Sequence, residues 1–405
     1  MKHARTIAGE AMANVSPRYP WEDEQVKSSM LLNLAAGAAA AVLLAFAVAP
    51  AAQAAGPEIV KGPSEDAQCY VPWAADTQFF KYPAKTGPFR IALSNSYIAN
   101  AWRIQMIKTA KAYAAQPEVA KWIKEFKVVS TGEDLAAQIS AVNNFIDSGY
   151  DAIVINSINP DAFGAAIKRA KDAGIIVVSF DGILNSTDTI NVNVDQKGLG
   201  VDWAKWMIEK LPSGGKVLEV RGVAGVSVDT DRHAGIHETL DASGKKWDIV
   251  EVSGKWDSGV AQKATADAIA VQGPFDGVIA QGGDTGVVQA MMDANQKFTP
   301  FAGETENGFL KLCADHAKDG LSCWAAGSGP GQVAVAVKTA LDALQGKTIP
   351  QMTKLPLAPA VDPNIKDGTD YYASQPNEFY PNNSFPTCGI NFDARDIMNQ
   401  NQNNS

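Results

Sequence analysis

The sequence predicts an α/β protein of two similar lobes, each a parallel sheet flanked by helices, facing each other across a cleft. Three observations lead there. Short apolar runs such as 151–156 and 175–180 alternate with amphipathic stretches, the signature of βαβ units. The alternation passes through two successive halves of comparable size. Polar and aromatic residues recur where the strands end, which in open parallel sheets is where ligands bind.

In the first half, strands are expected at 90–94, 126–130, 151–156 and 175–180, with helices at 104–115, 134–148 and 160–173. Gly174 stops the last of these helices. The second half reads as strands at 216–221, 247–252 and 275–280 and helices at 196–211, 231–241 and 259–271. A third set follows, with helices at 286–294, 308–318 and 331–344 and strands at 300–302 and 321–326. The tail from Pro363 is rich in Pro, Asn and Tyr, and its polar end, 399–405, is expected to fray.

At 405 residues the chain suits two domains, and its 46% hydrophobic and 20% charged content is that of an ordinary globular protein. A net charge of −9 argues against a nucleic-acid partner, which would want a basic stripe. Residues 1–54 read as a secretory signal rather than as fold. Lys27 precedes the Ala-dominated run 30–48, and Ala52-Gln53-Ala54 is an A-x-A cleavage pattern. The mature chain is therefore expected to be exported, outside the cytoplasm. Four cysteines outside the cytosol point to disulfides. Three pairings are possible. Proximity across the Gly320 turn favours Cys313 with Cys323, which leaves Cys69 with Cys388.

Catalytic signatures are scarce, and no cofactor, metal or enzymatic activity is expected. His233 and His237 stand four apart on a helix, a metal-ligand spacing, but no third ligand is evident, so they read as a surface pair. The Gly-rich stretches 213–216, 281–284 and 327–331 match no phosphate-binding motif and read as tight turns. What remains is the set at the strand mouths: Asn100, Trp102, Arg103, Asn156, Asp181, Arg232, Trp256, Asp284, Glu304 and Gln332. Any one of them could simply cap a helix. Together they offer donors and acceptors for hydroxyls and two flat apolar faces for a ring.

These residues resemble those of bacterial ABC-importer sugar-binding proteins of the periplasmic ribose-binding type, over about two-thirds of the chain. Asn100-Ala101-Trp102 is similar to that family's ligand loop, with Arg103 in place of a second aromatic. Asn156, and Asp181 at the end of 175–181, resemble its strand-end ligand contacts. Arg232 within 222–235 and Trp256 resemble its cleft arginine and stacking aromatic. Gly-Gly before Asp284, and Glu304 after Gly303, depart from the usual Asn-Asp and Gly-x-Asp, while Gln332 matches the residue at the second crossover.

The resemblance implies a periplasmic-binding-protein fold with three interlobe crossovers, near 194–195, 332–333 and 355–360, hinged at Val194, Asp195 and Val333. Residues 1–54 would be the signal and 55–88 an extension. The first lobe would comprise 89–194 with 333–357, and the second 195–332 with 358–405 including the tail. The implied function is monomeric capture of a sugar or polyol by hinge closure, for delivery to an ABC permease. A sensor feeding a chemoreceptor would read almost identically. A sugar-responsive repressor would need an N-terminal helix-turn-helix, and an exported enzyme a catalytic constellation.

Overall fold

The computed structural model describes residues 56–98, 100–357, 360–361 and 364–405. The expected signal segment and part of the third crossover, 358–359, lie outside the described residues. Among those described, no helix is long and apolar enough to cross a membrane.

The extension contributes β1 (Glu58–Val60) and β2 (Phe79–Lys81). The first lobe then runs β3 (Phe89–Asn95), α1 (Ala101–Ala114), α2 (Pro117–Ala120), β4 (Ile123–Ser130), α3 (Leu135–Asp147), β5 (Ala152–Asn156), α4 (Gly164–Asp172), β6 (Ile176–Phe180) and β7 (Ile190–Asn193). The second lobe holds α5 (Gln196–Lys210), β8 (Gly214–Arg221), α6 (Ser227–Ala242), β9 (Lys246–Ser253), α7 (Ser258–Gln272), β10 (Gly277–Ala280), α8 (Asp284–Asp293), β11 (Phe301–Gly303), α9 (Asn307–His316) and β12 (Cys323–Ala325). The chain then returns through α10 (Gln332–Leu344), β13 (Thr348–Pro350) and β14 (Met352–Lys354) to the first lobe. β15 (Ala360–Val361) rejoins the second, and α11 (Ala394–Met398) lies in the tail.

The first sheet has the order β14-β7-β6-β5-β3-β4 and is parallel throughout. Its central strands β5 and β6 are buried along their whole length, which is why they read as unbroken apolar runs rather than alternating ones. The second sheet has the order β15-β12-β11-β10-β8-β9, parallel except for the antiparallel edge β15. In each sheet the strand order reverses beside the first strand of the lobe, β3 or β8. That reversal opens a crevice at the carboxyl ends.

The three expected passages join the lobes, but the second occupies 326–331, and the tail adds another. Val333 already lies in the first turn of α10, where helical geometry fixes its backbone. Asp195 ends the first passage by capping α5, accepting from the Gly198 amide at 2.8 Å, and pairs with Lys354 at 3.0 Å.

The tail departs from expectation. It begins on the second lobe, where Ile365 is buried in that core and Tyr371 packs against it. From Tyr380 onward it returns to the first lobe, with Phe385, Cys388 and Ile390 in the first core. This is a fourth passage, fastened by the Cys69–Cys388 disulfide; the second disulfide is Cys313–Cys323. The last residues do not fray but dock on β4. The Ser130 amide donates to Asn404 Oδ1 at 2.8 Å, and the Ser405 amide donates to the Val128 carbonyl at 3.1 Å. β4 is the edge strand, and its unpaired backbone groups are what the polar tail satisfies.

Candidate functional site

The carboxyl ends of the two sheets enclose a small cavity, in the place between two lobes where small-ligand sites commonly lie. On the first-lobe side, Asn100 caps α1 by accepting from the Arg103 amide at 2.9 Å, so that Trp102 and Arg103 start the helix at the mouth of β3. The Trp102 indole donates to the Ser328 carbonyl at 2.6 Å. Arg103 donates to Asn95 Oδ1 at 2.9 Å, lies 3.8 Å from Asp181 Oδ2, and stacks over Tyr97 and Trp102 at 5.1 and 5.6 Å. Asp181 is held in the left-handed region (φ 57°), a conformation uncommon for a non-glycine residue. Its carboxylate accepts from Asn156 Nδ2 and from Gln332 Nε2, both at 3.2 Å.

On the second-lobe side, Arg232 projects from α6 and is 2% exposed. It donates to Gln196 Oε1 (2.8 Å), the Gln281 carbonyl (3.0 Å) and Ser328 Oγ (3.1 Å), and pairs with Glu304 Oε1 at 2.7 Å. Trp256 is also left-handed (φ 55°). Its indole lies so close over Gly222 that a Cβ there would collide with the ring. Gly327 has a similar reason to be glycine, since a side chain would run into the Glu304 carboxylate. That stretch, read from sequence as a mere tight turn, is shaped by the site.

Polar atoms here are unevenly satisfied. Glu304 Oε2, Gln281 Oε1 and the Trp256 indole nitrogen are buried against the cavity without a protein partner, as are Asp284 Oδ2 and Gln332 Oε1 behind it. Each such group carries a desolvation cost of about 1–3 kcal/mol that a ligand or water can relieve. Burial raises the Glu304 pKa, with Arg232 opposing and Asp181 adding to the rise. Burial together with the Glu306 and Glu304 carboxylates pushes Asp284 well above the ordinary carboxylate range. The two guanidinium groups of the cavity are matched by two carboxylates, Asp181 and Glu304.

Seven of the ten strand-mouth residues line the cavity: Asn100, Trp102, Arg103, Asp181, Arg232, Trp256 and Glu304. Asn156, Asp284 and Gln332 do not line it and are fully buried behind it. Asn156 and Gln332 hold Asp181, while Asp284 Oδ1 accepts from the Glu304 amide at 3.4 Å. Sequence reasoning missed Tyr97, Val228, Ser328 and Tyr380. Tyr97 sits three residues before Asn100 and was within reach of the strand-mouth argument. Tyr380 comes from the irregular tail, where no periodicity marks it.

The profile of the family described as periplasmic binding protein domain matches residues 91–348. A xylitol-binding protein of Mycolicibacterium smegmatis is 29% identical over 182 residues, 43% of this chain and 51% of that protein. A D-ribose/D-allose-binding protein of Pseudomonas aeruginosa is 33% identical over 180 residues, 42% of this chain and 54% of that protein. The chain thus spans about half the length of these curated relatives. The crystal structure of an ABC transporter solute binding protein from Thermobispora bispora superposes with a TM-score of 0.62 at 28% identity, covering 67% of this chain and 84% of that one.

Proposed function

The chain belongs to the periplasmic binding protein domain family, and from that premise we propose that it captures a neutral sugar or sugar-like polyol in the interlobe cavity. Capture proceeds by closure of the lobes about the passages at Val194–Asp195 and 326–331. The protein presents the loaded form to an ABC importer permease in the periplasm, acts as a monomer, and binds its ligand without converting it.

One observation carries the reading: buried oxygens of Glu304 and Gln281 and the buried Trp256 N–H lack partners inside a cavity flanked by two indoles. Hydroxyls donate to the first two and accept from the third. The indole faces cover the C–H surface of the ligand. The ionic balance of two Arg against two carboxylates favours a neutral ligand over a sugar acid, whose carboxylate would add an unmatched charge. The names of the xylitol- and ribose/allose-binding relatives support the same class.

The test is a thermal-shift and calorimetric screen of the mature chain against xylitol, D-ribose, D-allose, myo-inositol and D-gluconate. A neutral polyol or sugar should raise the melting temperature and bind with micromolar affinity, about −8 kcal/mol. Stabilisation by gluconate alone, or by none of the five, defeats the proposal.

A further inference from the structure

The two histidines that read as a surface pair acquire partners that their sequence positions hide. His233 and His237 stand one turn apart on α6, facing β8 and β9. Glu219 on β8 and Glu251 on β9 are direct cross-strand partners in parallel register, so their side chains leave the same face of the sheet. Like charges in that position repel, and Glu219 is fully buried. Their charge is balanced by Arg221 on Glu251 and by the two imidazoles on Glu219, or by a cation held among them.

The geometry brings four ligand atoms together. His233 Nδ1 lies 3.1 Å from Glu219 Oε1, and His237 Nε2 lies 2.8 Å from Glu219 Oε2. Glu251 is more distant, at 4.0 Å from His233 Nδ1 and 3.8 Å from His237 Nε2. One ligand atom from each of the four residues falls within 4.8 Å of the others. A tetrahedral zinc ion with bonds of about 2.0–2.2 Å needs ligand atoms roughly 3.3–3.6 Å apart. The observed separations straddle that edge length, so small side-chain adjustments suffice. Arg221 also reaches Glu251, at 3.0 Å, but shares its charge with Asp229 at 2.6 Å. Glu219 bonds to the two imidazoles and, at 3.4 Å, to the Gln281 amide.

We propose that Glu219, His233, His237 and Glu251 form a binding site for a divalent transition cation of the zinc type, outside the ligand cavity. Two imidazoles with two carboxylates favour zinc over magnesium or calcium, which prefer all-oxygen sets. Glu219 supplies the buried anchor, and the more exposed Glu251 provides the side from which an ion enters. The ion would tie α6 to β8 and β9 directly beside Arg232, stiffening the second-lobe wall of the cavity. This inference does not depend on the sugar-binding proposal, because its readout is the metal itself.

The experiment uses the untagged chain, stripped with EDTA and titrated with Zn2+ by calorimetry, with Co2+ absorption as a probe of coordination geometry. The expected result is one Zn2+ per chain at micromolar affinity or tighter, with tetrahedral-type Co2+ bands and no competition from Mg2+ or Ca2+. His237→Ala should weaken binding by more than about 100-fold, beyond the roughly 10–100-fold typical of losing a supporting partner. Glu251→Gln, at a more exposed position that spares the fold, should weaken it by at least about tenfold. His316→Ala, outside the cluster, should change nothing. Absence of Zn2+ binding, or unaltered binding in the His237 and Glu251 variants, would leave a hydrogen-bonded His–Glu network only and overturn the proposal.

Discussion

The two walls of the cavity carry the same parts in different states of completion. Each wall contributes a tryptophan, an arginine and a carboxylate. On the first lobe the carboxylate of Asp181 is held from both sides, by Asn156 and by Gln332, with Arg103 a looser third partner at 3.8 Å. On the second lobe Glu304 leans on Arg232 at 2.7 Å and leaves its other oxygen bare. The Trp102 indole has its carbonyl, while that of Trp256 has none. The first wall is therefore assembled before any ligand arrives, and the second retains polar groups that only a ligand or water can complete. This asymmetry fits capture on the first lobe followed by closure of the second.

The largest expected effect concerns the arginines. Arg232→Ala strips the charged partner from a carboxylate buried in the second wall and removes four polar contacts at once. Breaking a buried pair in this way costs about 3–5 kcal/mol, so the variant should lose stability as well as binding. Arg103→Ala leaves Asp181 its two amide donors and should cost less than half as much. Urea denaturation of both variants makes the comparison. Equal losses would mean that the walls are equivalently built.

Acid titration separates the walls further. Asp284 keeps its proton in the folded chain to higher pH than in the unfolded one, because of burial and the neighbouring Glu306 and Glu304. Such a group adds stability that is complete below the ordinary aspartate pKa and is lost as pH rises through the folded value. Glu304 contributes in the same direction. Asp284→Asn mimics the protonated side chain. It should raise the melting temperature at neutral pH, flatten its decline between acidic and neutral pH, and leave ligand affinity nearly unchanged. A variant less stable than the parent at neutral pH would show that Asp284 is ionised in the fold.

A smaller effect is expected at Glu304, the second-wall carboxylate that faces the cavity. Glu304→Gln keeps the shape but weakens a charge-assisted bond to a hydroxyl. It should reduce affinity by about 1.5–3 kcal/mol, roughly ten- to hundredfold. Calorimetry against the best ligand of the screen is the check, and an unchanged Kd would place Glu304 in a purely structural role.

What the sequence disclosed follows the same divide between local and distant causes. Strands β5 and β6, the helix between them and seven cavity residues were legible because a buried parallel strand is apolar throughout and the polar and aromatic groups that line the cavity follow the strand ends. The Glu304 and Arg232 pairing was not, since residues 72 positions apart meet only through the order of β8, β10 and β11. Tyr380 reaches the cavity because Gln105 donates to its carbonyl across 275 residues and the Cys69–Cys388 disulfide anchors the segment beyond it. Glu219 and Glu251 join the histidines only through strand register.

The finest distinction lies between the two indoles. Trp→Phe retains an aromatic face and deletes only the N–H, so it isolates the hydrogen bond from the stacking. At Trp102 the substitution removes a bond to Ser328 and leaves that carbonyl without its donor, which should cost the ligand-free chain about 1 kcal/mol. At Trp256 it removes a buried donor with no protein partner, so the ligand-free chain should be unharmed or slightly more stable. The order reverses for binding. Trp256→Phe forfeits the bond that a ligand oxygen would accept and should weaken affinity by about 0.5–1.5 kcal/mol, whereas Trp102→Phe should leave affinity within about twofold of the parent, since no donor to the ligand is lost. Melting temperature and Kd measured on both variants therefore form a crossed pair. If both substitutions lower stability alike and neither changes affinity, the unfinished second wall is a packing feature rather than a ligand-binding one.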